Sequence, residues 1–120
     1  MVNSLQIPVL NLEKAKDFYS GIFNWHVYPE ESMPNVYIYQ IDKEGEFVGG
    51  GFVLRESVNQ EGNSILLYVN ADDVEKTLSD VTRLGGTPVG DIMKLPGGHG
   101  TIAQFRDPFG NLIGLWNEAT

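Results

Sequence analysis

The sequence predicts an α+β domain in which one βαβββ unit occurs twice. Residues 11–14 read Asn-Leu-Glu-Lys and residues 73–76 read Asp-Val-Glu-Lys, and each begins a segment whose apolar residues recur at helical spacing. Each of these segments follows one strand-like segment and precedes three others. The separation is too long for a solenoid repeat, so the pattern indicates a duplicated half-domain. The alternative is a chance likeness between two capped helices.

The first half begins with a strand at residues 2–9, and a helix follows at residues 12–23. Asn11 is a suitable N-cap because its side chain can accept hydrogen bonds from the free amides of the first helical turn. Gly21 and Asn24 mark the end of this helix. Three strands with β-branched and aromatic residues are then expected, at residues 25–28, 36–41 and 46–55.

The second half repeats this order. A strand is expected at residues 64–69, and Asp72 or Asp73 caps the helix that follows. Asp72 with Glu75 three residues later is compatible with a capping box, and the glycines at 85–86 supply the helix stop. Three further strands are expected, at residues 87–95, 101–106 and 111–116.

Composition restricts the class of protein. The chain has 120 residues and no cysteine, which excludes disulfides, zinc–thiolate sites and cysteine nucleophiles and fits a reducing cytoplasm. Eight basic and sixteen acidic residues give a formal charge of −8, so nucleic acid is not an expected partner. The sequence has neither a long apolar run nor a signal-peptide pattern. We predict one cytoplasmic domain over residues 1–120, with modules at 1–57 and 64–117, a linker at 58–63, and no membrane partner.

Four motifs, in order along the chain, resemble those of a known family. They are Ile7 to Tyr19, Phe23-Asn24-Trp25, Tyr68 to Val74, and the Asp-Pro-Phe-Gly-Asn of residues 107–111, whose Pro and Gly also suit a type I turn. Together they resemble the vicinal-oxygen-chelate superfamily of glyoxalase I, bleomycin-resistance proteins and extradiol dioxygenases. The resemblance implies that the paired βαβββ modules form a cup-shaped, half-open mixed β-barrel, with a helix outside each half.

Many members of that family hold a divalent metal with one His, Glu or Gln from each of four strands. The matching positions here are Ser4, Ser64, Gly114, and Gly50 or Gly51 in the fourth strand. A serine hydroxyl is a poor substitute for imidazole, and glycine has no side chain. We therefore predict that the protein has no metal site and uses no cofactor.

Strand side chains alternate between faces, so the inward direction of the lost ligands extends along each strand. Together with Phe52, the inward residues form the predicted ligand-binding set of Ser4, Gln6, Ser64, Tyr68 and Trp116. This lining suits a planar or partly apolar organic molecule. The alternative is that the aromatic members fill the interior as core. The glycines at 49–51 indicate either space for a ligand or a bulge.

Three residues are candidates for acid–base catalysis. His99 lies in the Pro-Gly-Gly-His-Gly segment at residues 96–100, imidazole suits acid–base chemistry near neutral pH, and a glycine-rich loop could act as a lid. Glu56 and Glu118 are the carboxylates nearest the predicted rim. For all three, an ordinary surface role is the alternative. Three cations could meet an anionic ligand: Arg55, Lys94 and Arg106.

These observations favour a glyoxalase-like protein that binds a small organic molecule without a metal. One alternative is a metal-independent lyase or isomerase related to lactoylglutathione lyase. Another is a non-catalytic interaction module whose interior is filled by its own side chains. Because members of the family often pair, the resemblance also implies a homodimer.

Overall fold

The computed structural model describes residues 4–43, 46–58 and 66–118, which fall into two compact units, residues 1–58 (unit 1) and 59–120 (unit 2). Each unit contains one four-stranded mixed sheet and one α-helix in βαβββ order. The predicted α+β fold with paired βαβββ modules is confirmed. Neither helix in the described ranges is long and apolar enough to cross a membrane.

Unit 1 consists of β1 (Ser4–Val9), α1 (Leu12–Phe23), β2 (His26–Pro29), β3 (Val36–Lys43) and β4 (Glu46–Leu54). The strand order is β1-β4-β3-β2, in which β1 and β4 are parallel and the other neighbours are antiparallel. Asn11 caps α1 as predicted, since its side-chain oxygen accepts from the Lys14 amide at 2.9 Å. Asn24, in the left-handed region at φ 57°, ends the helix.

An aromatic core joins α1 to the sheet of unit 1. Tyr19 of α1 lies 4.9 Å from Phe52 and stacks on Trp25 at 5.6 Å between ring centroids. Trp25 in turn stacks on Tyr39 at 4.7 Å, and Tyr39 lies 5.0 Å from Phe52. All four side chains are buried. Offset and tilted aromatic pairs of this kind add roughly 0.5–1.5 kcal/mol each beyond the area they bury.

Phe52 belongs to this core, which is the alternative that the sequence leaves open for the aromatic members of the predicted ligand-binding set. Its side chain is fully buried against Tyr19, and its register partner on β1 is Ile7, which is also buried. Register partners share a face of the sheet, so Phe52 lies on the α1 side and Gln6, the neighbour of Ile7, lies on the other. The two residues cannot line the same surface.

Gly49 and Gly50 of β4 allow close packing rather than forming a bulge. The register between β3 and β4 is continuous from Val36–Val53 to Lys43–Glu46, so the predicted bulge is absent from this strand pair. A Cβ at Gly50 would lie 1.9 Å from the Leu5 carbonyl oxygen and 2.7 Å from the Tyr39 hydroxyl, which donates to that carbonyl at 3.0 Å. The absence of a side chain at Gly50 therefore permits this hydrogen bond.

Unit 2 consists of β5 (Leu67–Asn70), α2 (Val74–Arg83), β6 (Thr87–Lys94), β7 (Thr101–Arg106) and β8 (Leu112–Asn117). The strand order is β5-β8-β7-β6, again with the first pair parallel. Buried apolar residues of α2 and of alternate positions in the strands form the core of this unit: Val74, Val81, Ala103, Phe105, Ile113 and Leu115. β5 is described from Leu67, and residues 64–65 of the strand predicted at 64–69 lie outside the described residues.

Asp73 is the N-cap of α2, and its side chain accepts from the Lys76 amide at 3.0 Å. Since the residue at the third helical position is thus Lys76, the predicted capping box of Asp72 and Glu75 is wrong. At the other end the Gly86 amide donates to the Val81 carbonyl at 2.8 Å, and Gly85 has a φ of 100°, as the predicted glycine stop requires.

The predicted turn between β7 and β8 is confirmed, and the Asp107 carboxylate organises it. The Gly110 amide donates to the Asp107 carbonyl at 3.0 Å and closes the turn. One carboxylate oxygen accepts from the amides of Phe109 and Asn111, both at 2.9 Å, and the other accepts from the Asn111 side chain at 2.8 Å. Asp107 is buried, so these bonds replace the water that its charge would otherwise require.

Candidate functional site

The sheet of unit 2 has one face packed on α2 and an opposite face, here called the distal face. Because side chains alternate along a strand, the residues between the buried ones in β7 and β8 share the distal face with Tyr68, the register partner of Gly114. The residues of the distal face in β5, β7 and β8 are Tyr68, Asn70, Ile102, Gln104, Arg106, Leu112, Gly114 and Trp116.

Tyr68 covers Gly114 on the distal face. A Cβ at Gly114 would lie 2.4 Å from Cδ1 and 2.5 Å from Cε1 of the Tyr68 ring. Any side chain at this position would therefore have to displace the ring. Gly114 is buried beneath it, whereas Tyr68 itself remains 40 % exposed. An aromatic side chain held in place and still exposed provides a surface on which a flat molecule can pack.

The Tyr68 side chain also reaches the strand beyond Gly114. Its hydroxyl accepts a hydrogen bond from the Gln104 side-chain amide at 3.3 Å, and Gln104 is the register partner of Gly114 on β7. The side chain thus spans from β5 across β8 to β7. The sequence analysis does not identify Gln104 as a site residue. The signal that could have found it is alternation along β7, because Gln104 lies between the buried Ala103 and Phe105 and so faces the opposite side.

Trp116 lies farther along the distal face and forms a hydrogen bond to the neighbouring loop. Its indole N–H donates to the His99 carbonyl at 2.9 Å, and the Leu95 amide donates to the Gly100 carbonyl at 2.8 Å. A Cβ at Gly100, where φ is 102°, would lie 2.2 Å from the Asn117 carbonyl oxygen. The loop that carries His99 is therefore tied by its main chain to β8, while the His99 side chain is exposed.

Arg106 is at the end of β7 nearest the turn. One guanidinium N–H group donates to the Gly110 carbonyl at 2.7 Å, which fixes the half-buried side chain beside the turn. Among the register-paired distal-face residues of β5, β7 and β8, Arg106 is the only charged one. The chain as a whole has a charge of −8, so this end of the face differs in sign from the net charge.

The other predicted site residues are distributed over both units. Gln6 is exposed on the face of β1 away from α1, and Glu56 is exposed in the segment after β4. Glu118 is exposed directly after β8. Ser4 pairs with Gly49, and the description does not extend to the Ser4 side chain or to Ser64. The structure thus brings Tyr68, Gln104 and Trp116 onto one surface and places Gln6 and Glu56 in unit 1.

The glycines at the expected metal-ligand positions do not fit a divalent cation. Gly114 is covered by the Tyr68 ring, and Gly50 points toward the Tyr39 hydroxyl on the α1 side of its sheet. Gly51 is on the other side but offers no donor atom. In the part of the chain that the structure describes, no three His, Cys, Asp or Glu residues are close enough together to hold a metal ion.

Two βαβββ modules, each with a parallel outer strand pair and a helix on one face, define a class of α+β proteins. The chain belongs to the Glyoxalase/Bleomycin resistance protein/Dioxygenase superfamily, whose family model matches residues 1–115. The resemblance seen in the sequence motifs is thereby confirmed. Membership of this superfamily specifies the fold of the chain, whereas the ligand depends on the residues of its own site.

Known proteins similar to this chain agree with that family. A glyoxylase-like domain-containing protein of Didymella fabae is 30% identical over 115 residues, which cover 92% of this chain and 88% of the relative. A glyoxalase/bleomycin resistance protein/dioxygenase family enzyme from Burkholderia phytofirmans PsJN matches with a TM-score of 0.74 at 19% identity, covering 96% of each chain. Glyoxalase I from Zea mays matches with a TM-score of 0.73 at 21% identity, and the match covers 97% of this chain and 45% of the maize chain. The structural matches show a shared fold.

Proposed function

We propose that this protein binds a small organic molecule on the distal face of unit 2 and does so without a divalent metal at the family's ligand positions. The observation that carries the proposal is the Tyr68 ring over Gly114. It puts an exposed aromatic surface where a metal-binding member of the family would need a ligand side chain.

The chemistry of the distal face supports a binding role. Small-molecule sites are mostly apolar or aromatic and contain a few polar groups that fix the orientation of the ligand. Tyr68 and Trp116 supply aromatic surface, and Gln104 supplies an amide beside the Tyr68 hydroxyl. A tyrosine that served as core would be buried like Tyr39, which is 3% exposed, whereas Tyr68 is 40% exposed.

Thermal stabilisation by a chemically broad ligand library tests the binding role. A ligand at a hundred times its Kd stabilises the folded state by about 2.7 kcal/mol, which is readily measured as a rise in Tm. We expect at least one compound to raise the Tm of the wild type and to lose this effect in Tyr68→Ala. His26→Ala is the control, since its position is in the sheet of unit 1. A library without any stabilising compound would contradict the proposal.

Metal analysis independently tests the proposal that the protein holds no divalent metal at the family's ligand positions. Protein purified without a metal-affinity step should contain far less than one equivalent of zinc, nickel, manganese or iron. One tightly held equivalent would show that other residues supply ligands, and the metal-free part of the proposal would then fail.

A metal-independent lyase or isomerase is the second candidate, favoured by one contact. The Trp116 hydrogen bond to the His99 carbonyl keeps a potential acid–base group at the border of the distal face. If the protein converts a ligand found in the screen, His99→Ala should lower kcat at least tenfold, and Glu56→Ala tests the other candidate. An unchanged kcat in both variants would leave binding as the function.

The cytoplasmic location and the homodimer predicted from the sequence are part of this proposal. Light scattering coupled to size exclusion should give twice the mass of 13.3 kDa expected for one chain. A mass equal to that of one chain would contradict the proposed homodimer.

A further inference from the structure

We infer that the distal face of unit 2 selects a planar aromatic carboxylate, with its ring against Tyr68 and its carboxylate directed to Arg106. The inference rests on the proposed function and names the chemical class of its ligand. Three observations carry it: the held and exposed ring, the spacing along β7, and the charge at the end of the face.

The first observation concerns the shape of the surface. The Tyr68 ring packs on Gly114, and its hydroxyl accepts a hydrogen bond from the Gln104 side chain. Because the ring is already fixed, little side-chain freedom is lost when a ligand packs against it. A flat ring gains more contact with such a surface than a branched or saturated group of the same size, since aromatic pairs prefer offset or edge-to-face packing.

The second observation is the spacing of Gln104 and Arg106 along the backbone of β7. Gln104 and Arg106 are two residues apart on the same side of the strand, so their Cα atoms are separated by roughly 6.5–7 Å. A benzene ring with polar groups at opposite ends is about this long. One end of such a ligand would therefore lie beside the amide of Gln104 while the other end approaches Arg106.

The third observation is the positive charge of Arg106 and the hydrogen bond that holds its side chain. Arg106 is the only charged residue among the register-paired distal-face positions of β5, β7 and β8. One of its N–H groups is already held by the Gly110 carbonyl, which orients the guanidinium group. Guanidinium presents several N–H donors in a planar fork that matches a carboxylate. A cationic ligand would find no opposite charge among these same positions.

Isothermal titration calorimetry with four probes on the intact 120-residue chain tests this inference. The probes are 4-hydroxybenzoate, its neutral analogue 4-hydroxybenzamide, the saturated acid cyclohexanecarboxylate, and the cation 4-hydroxybenzylamine. We expect 4-hydroxybenzoate to bind at least tenfold more tightly than each of the others. The loss of a hydrogen bond to a charged group corresponds to about tenfold to hundredfold in Kd.

Variants locate the carboxylate and separate folding from binding. Arg106→Gln should weaken 4-hydroxybenzoate tenfold or more and leave 4-hydroxybenzamide within twofold, while Arg106→Lys should recover part of the loss. Arg83→Gln is the matched control, because it removes the same charge from α2, where Arg83 pairs with Asp80 at 3.2 Å. Circular dichroism and Tm measured on each variant identify any that fail to fold, and Arg106→Lys then provides the comparison.

The outcomes distinguish this inference from the function on which it rests. Equal binding of the acid and the amide, or an equal loss of both in Arg106→Gln, would overturn the inference. If neutral or cationic library compounds stabilise the wild type and not Tyr68→Ala, while all four probes fail, the proposed function stands and the carboxylate selectivity falls. If no compound of any class binds, both fail.

Discussion

The Tyr68 ring lies over the α-carbon of Gly114, its register partner on the neighbouring parallel strand. The two residues depend on each other, because the ring can take this position only where the strand beneath it has no side chain. In a member of this family with a ligand carboxylate at that position, the ring would have to lie elsewhere. The pair therefore places an exposed aromatic ring where any other residue would have a side chain.

Gly114→Ala should destabilise the protein by about 1–3 kcal/mol, because the new methyl group forces the Tyr68 ring to move. The same substitution in a Tyr68→Ala background should cost clearly less, with a coupling energy of at least about 0.5 kcal/mol. Urea unfolding of the two single variants and the double variant measures this coupling.

Gly51→Ala is the control for this cycle. A Cβ at Gly51 has its nearest atom at 3.6 Å, in the Val36 side chain, which is an ordinary contact distance. Its effect should simply add to that of Tyr68→Ala. Additive effects for Gly114→Ala as well would show that the ring moves away at no cost.

Asp107→Ala should cost roughly 2–3 kcal/mol in the free energy of unfolding, since it leaves the amides of Phe109 and Asn111 without their carboxylate acceptor. Asp107→Asn keeps one side-chain oxygen and should cost less. Asp91→Ala, at an exposed position, should stay within about 0.5 kcal/mol of the wild type. Urea midpoints for the three variants test the ranking, and an Asp107→Ala variant as stable as the Asp91→Ala control would contradict it.

Stability should fall as the pH rises from 10 to 12, partly because of Tyr39. Burial raises the pKa of Tyr39 from 10.0 to about 12 in the folded state. Below pH 10 the hydroxyl is neutral in both states and the shift has no effect. Between pH 10 and 12 the unfolded chain releases this proton while the folded protein keeps it, so rising pH favours the unfolded state.

Urea unfolding between pH 9 and 12 measures this loss. Tyr39→Phe should reduce the pH slope, although it also removes the hydrogen bond to Leu5 and lowers stability at every pH. Tyr37 contributes in the same direction, because its hydroxyl donates to Glu13 and this bond raises its pKa. Tyr37→Phe therefore serves as the comparison, and a slope unchanged in Tyr39→Phe would refute the assignment to Tyr39.

Trp116→Phe should loosen the loop of residues 96–100 without unfolding unit 2. The variant keeps an aromatic ring but removes the N–H group that donates to the His99 carbonyl. We expect hydrogen–deuterium exchange of the loop amides to accelerate about tenfold, which corresponds to the roughly 1.4 kcal/mol of one hydrogen bond. Tyr68→Phe leaves this bond in place and is the control. An equal acceleration in both variants would show that the Trp116 hydrogen bond does not restrain the loop.

The sequence was sufficient for the order of elements because the signals are local. Asn11 and the stop at residues 85–86 act within one helical turn, and the periodicity of apolar residues distinguishes helix from strand. The α+β class followed from these signals alone. The sequence does not decide between Asp72 and Asp73 as the cap, since the choice depends on a single hydrogen bond.

The candidate site was predicted less completely because it depends on pairings between distant strands. The face of Phe52 is fixed by its register with Ile7 on β1 and by Tyr19 of α1, neither of which is adjacent in sequence. The contact of Tyr68 with Gly114 depends on the register of β5 with β8. Alternation along one strand identifies two faces, but the position of the helix decides which of them is covered.

The two helix caps should be nearly equivalent in energy, because they have the same geometry in both modules. Asn11 accepts from the amide three residues ahead at 2.9 Å, and Asp73 does so at 3.0 Å. Asn11→Ala and Asp73→Ala should each cost about 1 kcal/mol in the free energy of unfolding, and the exchanges Asn11→Asp and Asp73→Asn only a few tenths. Urea unfolding of the four variants provides the measurement, with the exposed Ser79→Ala of α2 as control. A cost for one cap and none for the other would mean that the two helices are held by different interactions despite their shared sequence pattern.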